Sequence, residues 1–153
     1  MLKKLSLQVF AALSMLIPGI ALSMSPFANV VFASEVAAHE NRVDPKSIKQ
    51  DFGCGEPVHA VIGLEGLAIG PHDIEVIWLD PEGNALKADK GQVEIPRINW
   101  IAYFSSSIMV SADAAASGEG QSSPEISPYS GVWVVEVRSG GESVGRGTFT
   151  MTC

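Results

Sequence analysis

Two cysteines, Cys54 and Cys153, are the only ones in the 153 residues, and 99 positions separate them. A bond between them demands that the start and the end of that stretch meet in space. Folds whose first and last elements lie far apart are thereby excluded. The loop such a bond closes is long, so the chain-entropy argument gives about 4–5 kcal/mol of stabilisation, less any strain. A reactive dithiol would carry a C-x-x-C spacing or a basic setting, and the sequence has neither. Whether the pair closes depends on the compartment, because disulfides persist where the surroundings oxidise.

The N-terminus speaks to that compartment. Lys3 and Lys4 form a short basic region, and Leu5 to Leu22 is mostly apolar, broken by Ser6, Gln8, Ser14 and Pro18-Gly19. Val31-Phe32-Ala33 before Ser34 offers small residues in a signal-peptidase pattern, and no acidic residue precedes Glu35. A membrane anchor would need about 20 unbroken apolar residues, and Pro18-Gly19 interrupts this run. No cysteine stands at the cleavage site to take a lipid. Residues 1–33 therefore read as a cleavable signal peptide, which predicts a periplasmic or secreted product, no membrane insertion after cleavage and a closed Cys54–Cys153 disulfide.

Cleavage after Ala33 would remove two of the ten basic residues and none of the seventeen acidic ones. Eight basic against seventeen acidic residues leave a formal charge of −9. Such a surface repels phosphate backbones, so nucleic acid is excluded as a partner. The remaining length fits one domain.

Ser34 to Gly53 is polar and without alternation, and reads as a flexible leader in which Asp44-Pro45 could cap a single helical turn reaching Ile48 and Lys49. From Cys54 to Cys153 the pattern is β. Val58, Ala60, Ile62 and Leu64 share one parity, the period of a half-buried strand. Ile74 to Leu79 is β-branched and aromatic, and ends in the turn Asp80-Pro81-Glu82-Gly83-Asn84. Ala85 to Asp89 returns, a turn is expected at Lys90-Gly91, and Gln92 to Ile95 forms a short strand. Ile98, Trp100, Ala102 and Phe104 mark the apolar face of the next strand, which runs towards Val110. Trp133, Val135 and Val137 oppose Glu136 and Arg138, Ser139 to Glu142 turns the chain, and Val144 to Cys153 closes it with Phe149, Met151 and Cys153 facing inward. About seven strands with turn signals every ~8–12 residues indicate an all-β antiparallel sandwich, with a small β-barrel as the alternative.

Two segments carry a resemblance. The run Ile74 to Asn84, and Gly131-Val132-Trp133-Val134-Val135-Glu136-Val137 with its glycine turn and closing Phe149 strand, resemble hairpins of bacterial exported immunoglobulin-like sandwich domains. The resemblance implies an immunoglobulin-like β-sandwich and no particular activity. It departs from the antibody pattern, since the cysteines stand near the two ends of the domain.

Catalytic and metal signatures are missing from the sequence. His39-Glu40 begins like a zinc-protease helix, but Val43 occupies the second ligand position; His59 reads as an outward strand residue and His72 as a turn residue. Cys54 has no nearby methionine for a blue-copper loop. Asp80, Glu82, Asn84 and Asp89 lack calcium-loop alternation. Ser105-Ser106-Ser107 has no adjacent base, and no G-x-S-x-G occurs. No catalytic residue, no metal ligand and no cofactor is expected.

The 112–130 segment, rich in Ala, Ser, Gly and Pro, is long for a compact domain and becomes a candidate partner-contact loop through Asp113, Glu119, Glu125, Ile126 and Tyr129. The expected function is an exported non-enzymatic binding or assembly module of the bacterial envelope with an envelope protein as partner, using strand edges or this loop. The alternatives are a periplasmic small-ligand or metal-binding protein and an inhibitor of an exported enzyme. The sequence carries no sign of oligomeric state.

Overall fold

Alternation of apolar and polar side chains along the longer strands sets the architecture of the computed structural model, which describes residues 25–36, 43–111 and 129–153. The strands are β1 (Phe27–Ala33), β2 (Asp51–Gly53), β3 (Pro57–Glu65), β4 (Gly70–Leu79), β5 (Ala85–Ile95), β6 (Ala102–Met109), β7 (Gly131–Ser139) and β8 (Glu142–Thr152). One sheet runs β1-β3-β6 and the other β2-β8-β7-β4-β5. All neighbours are antiparallel except β2 and β8, which run parallel. The expected all-β sandwich closed by one disulfide is the fold.

Register follows from parity, since a slip of one residue would turn every apolar side chain outward. Val58, Ala60, Ile62 and Leu64 of β3 are buried, with Ile62 paired to Val30 of β1 and Phe104 of β6. In the second sheet Trp78 stands opposite Val135, which faces Gly147. Trp133 pairs with Phe149. The Phe149 ring lies 5.0 Å from Phe32, 5.6 Å from Phe52, 6.0 Å from Trp78 and 5.8 Å from Trp133. Tilted, edge-on and stacked rings at these separations add to the area they bury.

Glycines let the two sheets approach. A Cβ on Gly147 would lie 2.7 Å from Val30 Cβ, and one on Gly145 would strike the Ala28 carbonyl. On the other flank, Gly91 leaves room for the Phe104 ring. Gly91 is therefore no turn residue, and the expected break at Lys90-Gly91 is corrected to one continuous β5. The turn after β4 forms as expected: Asp80 N–H donates to the Asn84 carbonyl at 3.0 Å, and Gly83 takes φ of 88°.

The N-terminal boundaries also change. Residues 27–33, expected within the leader peptide, are a strand paired with β3 from His59 to Glu65, with Phe32 buried and Ala33 at 0 % exposure. The folded domain begins before residue 34, and cleavage after Ala33 would remove one strand of a three-stranded sheet. Residues 43–53, expected within a flexible leader, are tied down as well. Asp44 caps the 3₁₀ turn Pro45–Ser47 by accepting from Lys46 N at 2.9 Å, shorter than the helical turn expected to reach Lys49. Lys49 N–H donates to the Phe32 carbonyl at 3.1 Å, and Thr150 N–H to Gln50 at 2.7 Å. Phe52 then enters the core at the end of β8.

That parallel β2–β8 pairing puts Cys54 and Cys153 side by side, their Cα atoms 4.8 Å apart and the disulfide formed. Cys153 is exposed and does not face inward as its parity suggested, because β8 ends at Thr152. Replacing both cysteines by serine is expected to cost about 2–5 kcal/mol in urea unfolding, the range for a long closed loop. Gly147→Ala should cost about 1–3 kcal/mol by the same assay, because Val30 or the strand must move. A neutral result there would mean that the sheets do not touch at Gly147.

Candidate functional site

The connection from β5 to β6 must carry the chain from one sheet to the other, and it does so over Pro96 to Ile101. Proline ends the β5 ladder by lacking a donor, and Asn99 takes a left-handed φ of 59° that reverses the path. The expected strand parity of Ile98 and Trp100 is thereby lost. Both lie in the loop and face outward, Ile98 at 76 % exposure. The Arg97 guanidinium sits 5.1 Å over the Trp100 ring. Ile101 and Tyr103, also exposed, pass close to Gly63 of β3.

Beside this loop the β3–β4 turn presents Ile69 at 61 % exposure. Between the two lies an open cleft of about 890 Å³, walled by Leu67, Ile69, Ile98 and Val144 with His72, Asp73 and Glu142 at its polar side. No Lys or Arg lines it. His72 belongs to β4 and not to a turn, and its Nε2 lies 2.8 Å from the Ala68 carbonyl, which holds the ring at the wall. Asp73 Oδ1 accepts from Gln92 Nε2 at 3.1 Å. The arrangement offers apolar surface flanked by two carboxylates, suited to an apolar group that carries positive charge.

Two further polar clusters serve the fold. Trp78 Nε1–H donates to Ser106 Oγ at 2.7 Å across the sandwich, and the Ser106 hydroxyl donates to Asp89, which pairs with Lys87 at 2.9 Å. Lys87 Nζ also reaches the Ser107 carbonyl at 2.6 Å. Burial alone would raise the Asp89 carboxyl, but Ser106 and Lys87 outweigh it and hold the group below the usual carboxylate range. The serine hydroxyl thus meets an acceptor and an indole donor, with no base to make it a nucleophile.

On the outer face of β7, Glu136 is 5 % exposed. It accepts from Arg138 Nε at 2.6 Å and from Arg146 at 2.5 Å. The Arg138 hydrogen bond, opposed by burial and reinforced by Arg146, lowers the carboxyl below its ordinary 4.5.

The remaining sequence candidates fall as follows. Asp113, Glu119, Glu125 and Ile126, with His39, lie outside the described residues. Tyr129 is half-buried, its ring 6.2 Å from Trp133, whose Nε1–H donates to the Tyr129 carbonyl at 2.9 Å. Asp80 spends its carboxylate on Glu82 N, Asn84 N and the Asn84 side chain, so the acidic turn holds itself together. Among the described residues no three His, Cys, Asp or Glu side chains stand close enough to hold a metal. The exposed apolar loop residues Ile98, Trp100 and Ile101 escape the sequence reading because their spacing imitates a strand; Pro96 ahead of them is the available signal.

No protein-family model matches the sequence, and no characterised protein is close enough in sequence to count as a relative. Among solved structures, the chain is similar to Pseudomonas fluorescens alkylpurine DNA glycosylase AlkC bound to DNA containing an abasic site analog. The match has 14 % identity and a TM-score of 0.45 over 84 % of this chain and 31 % of that one. It is also similar to Listeria innocua β-glucosidase in complex with isofagomine, at 12 % identity and a TM-score of 0.49 over 82 % of this chain and 16 % of that one. The chain spans less than a third of either protein, and such likenesses assign it no activity.

Glu136 yields a pH prediction. Its carboxyl is lower in the folded state than its ordinary 4.5, so its contribution is present above about that pH and fades as pH falls through the folded value. Urea midpoints should therefore drop on acidification below pH 4.5, and Glu136→Gln should flatten that drop while costing about 1–3 kcal/mol at neutral pH. An unchanged acid profile in the variant would remove Glu136 from the account.

Proposed function

We propose that this chain is an exported, non-enzymatic binding or assembly module of the bacterial envelope, built on an immunoglobulin-like sandwich. It meets its partner through the apolar end formed by Ile69, Ile98, Trp100 and Ile101. The observation that carries the reading is the exposure of Ile69 and Ile98 at the cleft, with Trp100 and Ile101 exposed on the same 96–101 crossing. Apolar groups gathered in this way mark contact sites more often than idle surface, and an aromatic ring with an arginine over it is typical of interface centres. Export is supported by the basic start and apolar run of residues 3–22 and by a disulfide that suits an oxidising compartment. Asp73 and Glu142, with no cation beside them in the cleft wall, favour a partner segment that brings an apolar side chain and a basic one together.

A second reading, a periplasmic small-ligand protein, draws on the cleft itself, whose size falls in the ~300–1,000 Å³ range of ligand sites. The two readings separate in one comparison. Mature protein and an Ile98→Asp/Trp100→Ala variant would be used as baits in envelope extract, with thermal shifts against small amphiphilic cations in parallel. The binding-module reading expects one protein retained by the wild type and reduced at least tenfold by the variant. No specific protein on either bait sinks it, and a thermal shift in that case moves the assignment to the small-ligand reading.

A further inference from the structure

The end of the domain that carries the cleft is also where the chain enters it, and this fixes where a leader can be removed. Ser25 and Pro26 help to line the cleft. Their backbone lies against Gly66, whose added Cβ would stand 3.0 Å from the Ser25 carbonyl and 3.3 Å from Pro26 Cα. From Phe27 the chain runs as β1, antiparallel to β3 from Phe27↔Glu65 to Ala33↔His59. Phe32 packs on Phe149, and Val30 covers Gly147. A mature chain starting at Ser34 would expose the Phe149 ring and the bare glycines of β8, and would leave β3 with an unpaired edge. Natural sheets avoid such an edge because it pairs with other chains.

The sequence ahead of Ser25 supplies another place. Pro18-Gly19 ends an apolar run of the length of a signal-peptide core, and small residues then recur at alternate positions in Gly19-Ile20-Ala21-Leu22-Ser23. Either Gly19-x-Ala21 or Ala21-x-Ser23 satisfies the need for small residues at the first and third positions before the cut. A cut after Ala21 or Ser23 follows the apolar run closely, whereas one after Ala33 would separate the run from the cut.

We infer that the leader is cleaved after Ala21 or Ser23, and that the mature protein keeps β1. The step is hydrolysis of one peptide bond by a signal peptidase-class protease. Water supplies the hydroxyl of the new carboxyl group on the leader and a proton to the new amine, which becomes the N-terminus of the mature chain.

The inference rests on the export reading, and one experiment tells the two apart. The full chain with its own leader would be produced in a Gram-negative host, fractionated, and the product analysed by intact mass and N-terminal sequencing. A periplasmic product beginning at Leu22 or Met24 is expected, and Ala21→Leu/Ser23→Leu should accumulate at the mass of the full chain. A periplasmic product beginning at Ser34, in either protein, overturns the cleavage assignment and leaves export standing. A wild-type chain that stays whole in the cytoplasm overturns both.

Discussion

Phe149 is the contact on which the rest of this domain depends. Its ring takes one aromatic neighbour from each of four other strands: Phe32 from β1, Phe52 from β2, Trp78 from β4 and Trp133 from β7. These strands come from both sheets and from the first, middle and last parts of the chain. A small domain has little interior to spare, and here the buried aromatic rings of the described residues converge on one residue of the closing strand. The disulfide sits just beyond that convergence, where β2 and β8 run side by side. Bond and cluster therefore act on the same junction. The covalent link restricts the unfolded chain, and the rings supply the packing that makes the native pairing the preferred one.

Dependence on β1 and β2 explains why the N-terminal part was the least legible in the sequence. β3, β4, β7 and β8 each have one apolar and one polar or mixed face, so period-two reading finds them, and Asp80 to Asn84 announces its turn through Pro81 and Gly83. β1 follows directly on an apolar leader, and Phe27-Ala28-Asn29-Val30-Val31-Phe32-Ala33 has the same composition as what precedes it. Hydrophobicity alone cannot mark where an apolar run ends and a core strand begins. β2 is three residues long, too short to show any period. Its place is set by a parallel partner about a hundred residues away, which no local pattern encodes.

Glycine was misread for a related reason. Gly91 has the composition of a turn, yet its service is to leave space for Phe104 arriving from the other sheet, a purely tertiary requirement. The converse error was to read Ile98 and Trp100 as a core face on parity alone. Glu136 adds a third case: its outward parity was legible, but not its burial beneath two arginines. In each instance the local signal was real and a partner distant in sequence decided what it meant.

The exposed loop gains significance from how firmly its surroundings are held. Across the β5–β6 flank, Trp78, Ser106, Asp89 and Lys87 form a chain of polar contacts that fixes both strands from which the 96–101 crossing departs. Its inner members, Trp78 and Ser106, are buried and satisfied, and its outer members, Asp89 and Lys87, reach the surface. It ties β6 to β5 at a defined offset, and the crossing has little freedom left in where it places Ile98 and Trp100. An apolar surface on a rigid base loses less conformational entropy on contact than one on a wandering loop. Ile98 therefore holds a defined place at the wall of the cleft that carries Asp73 and Glu142, and Trp100 a defined place on the same crossing.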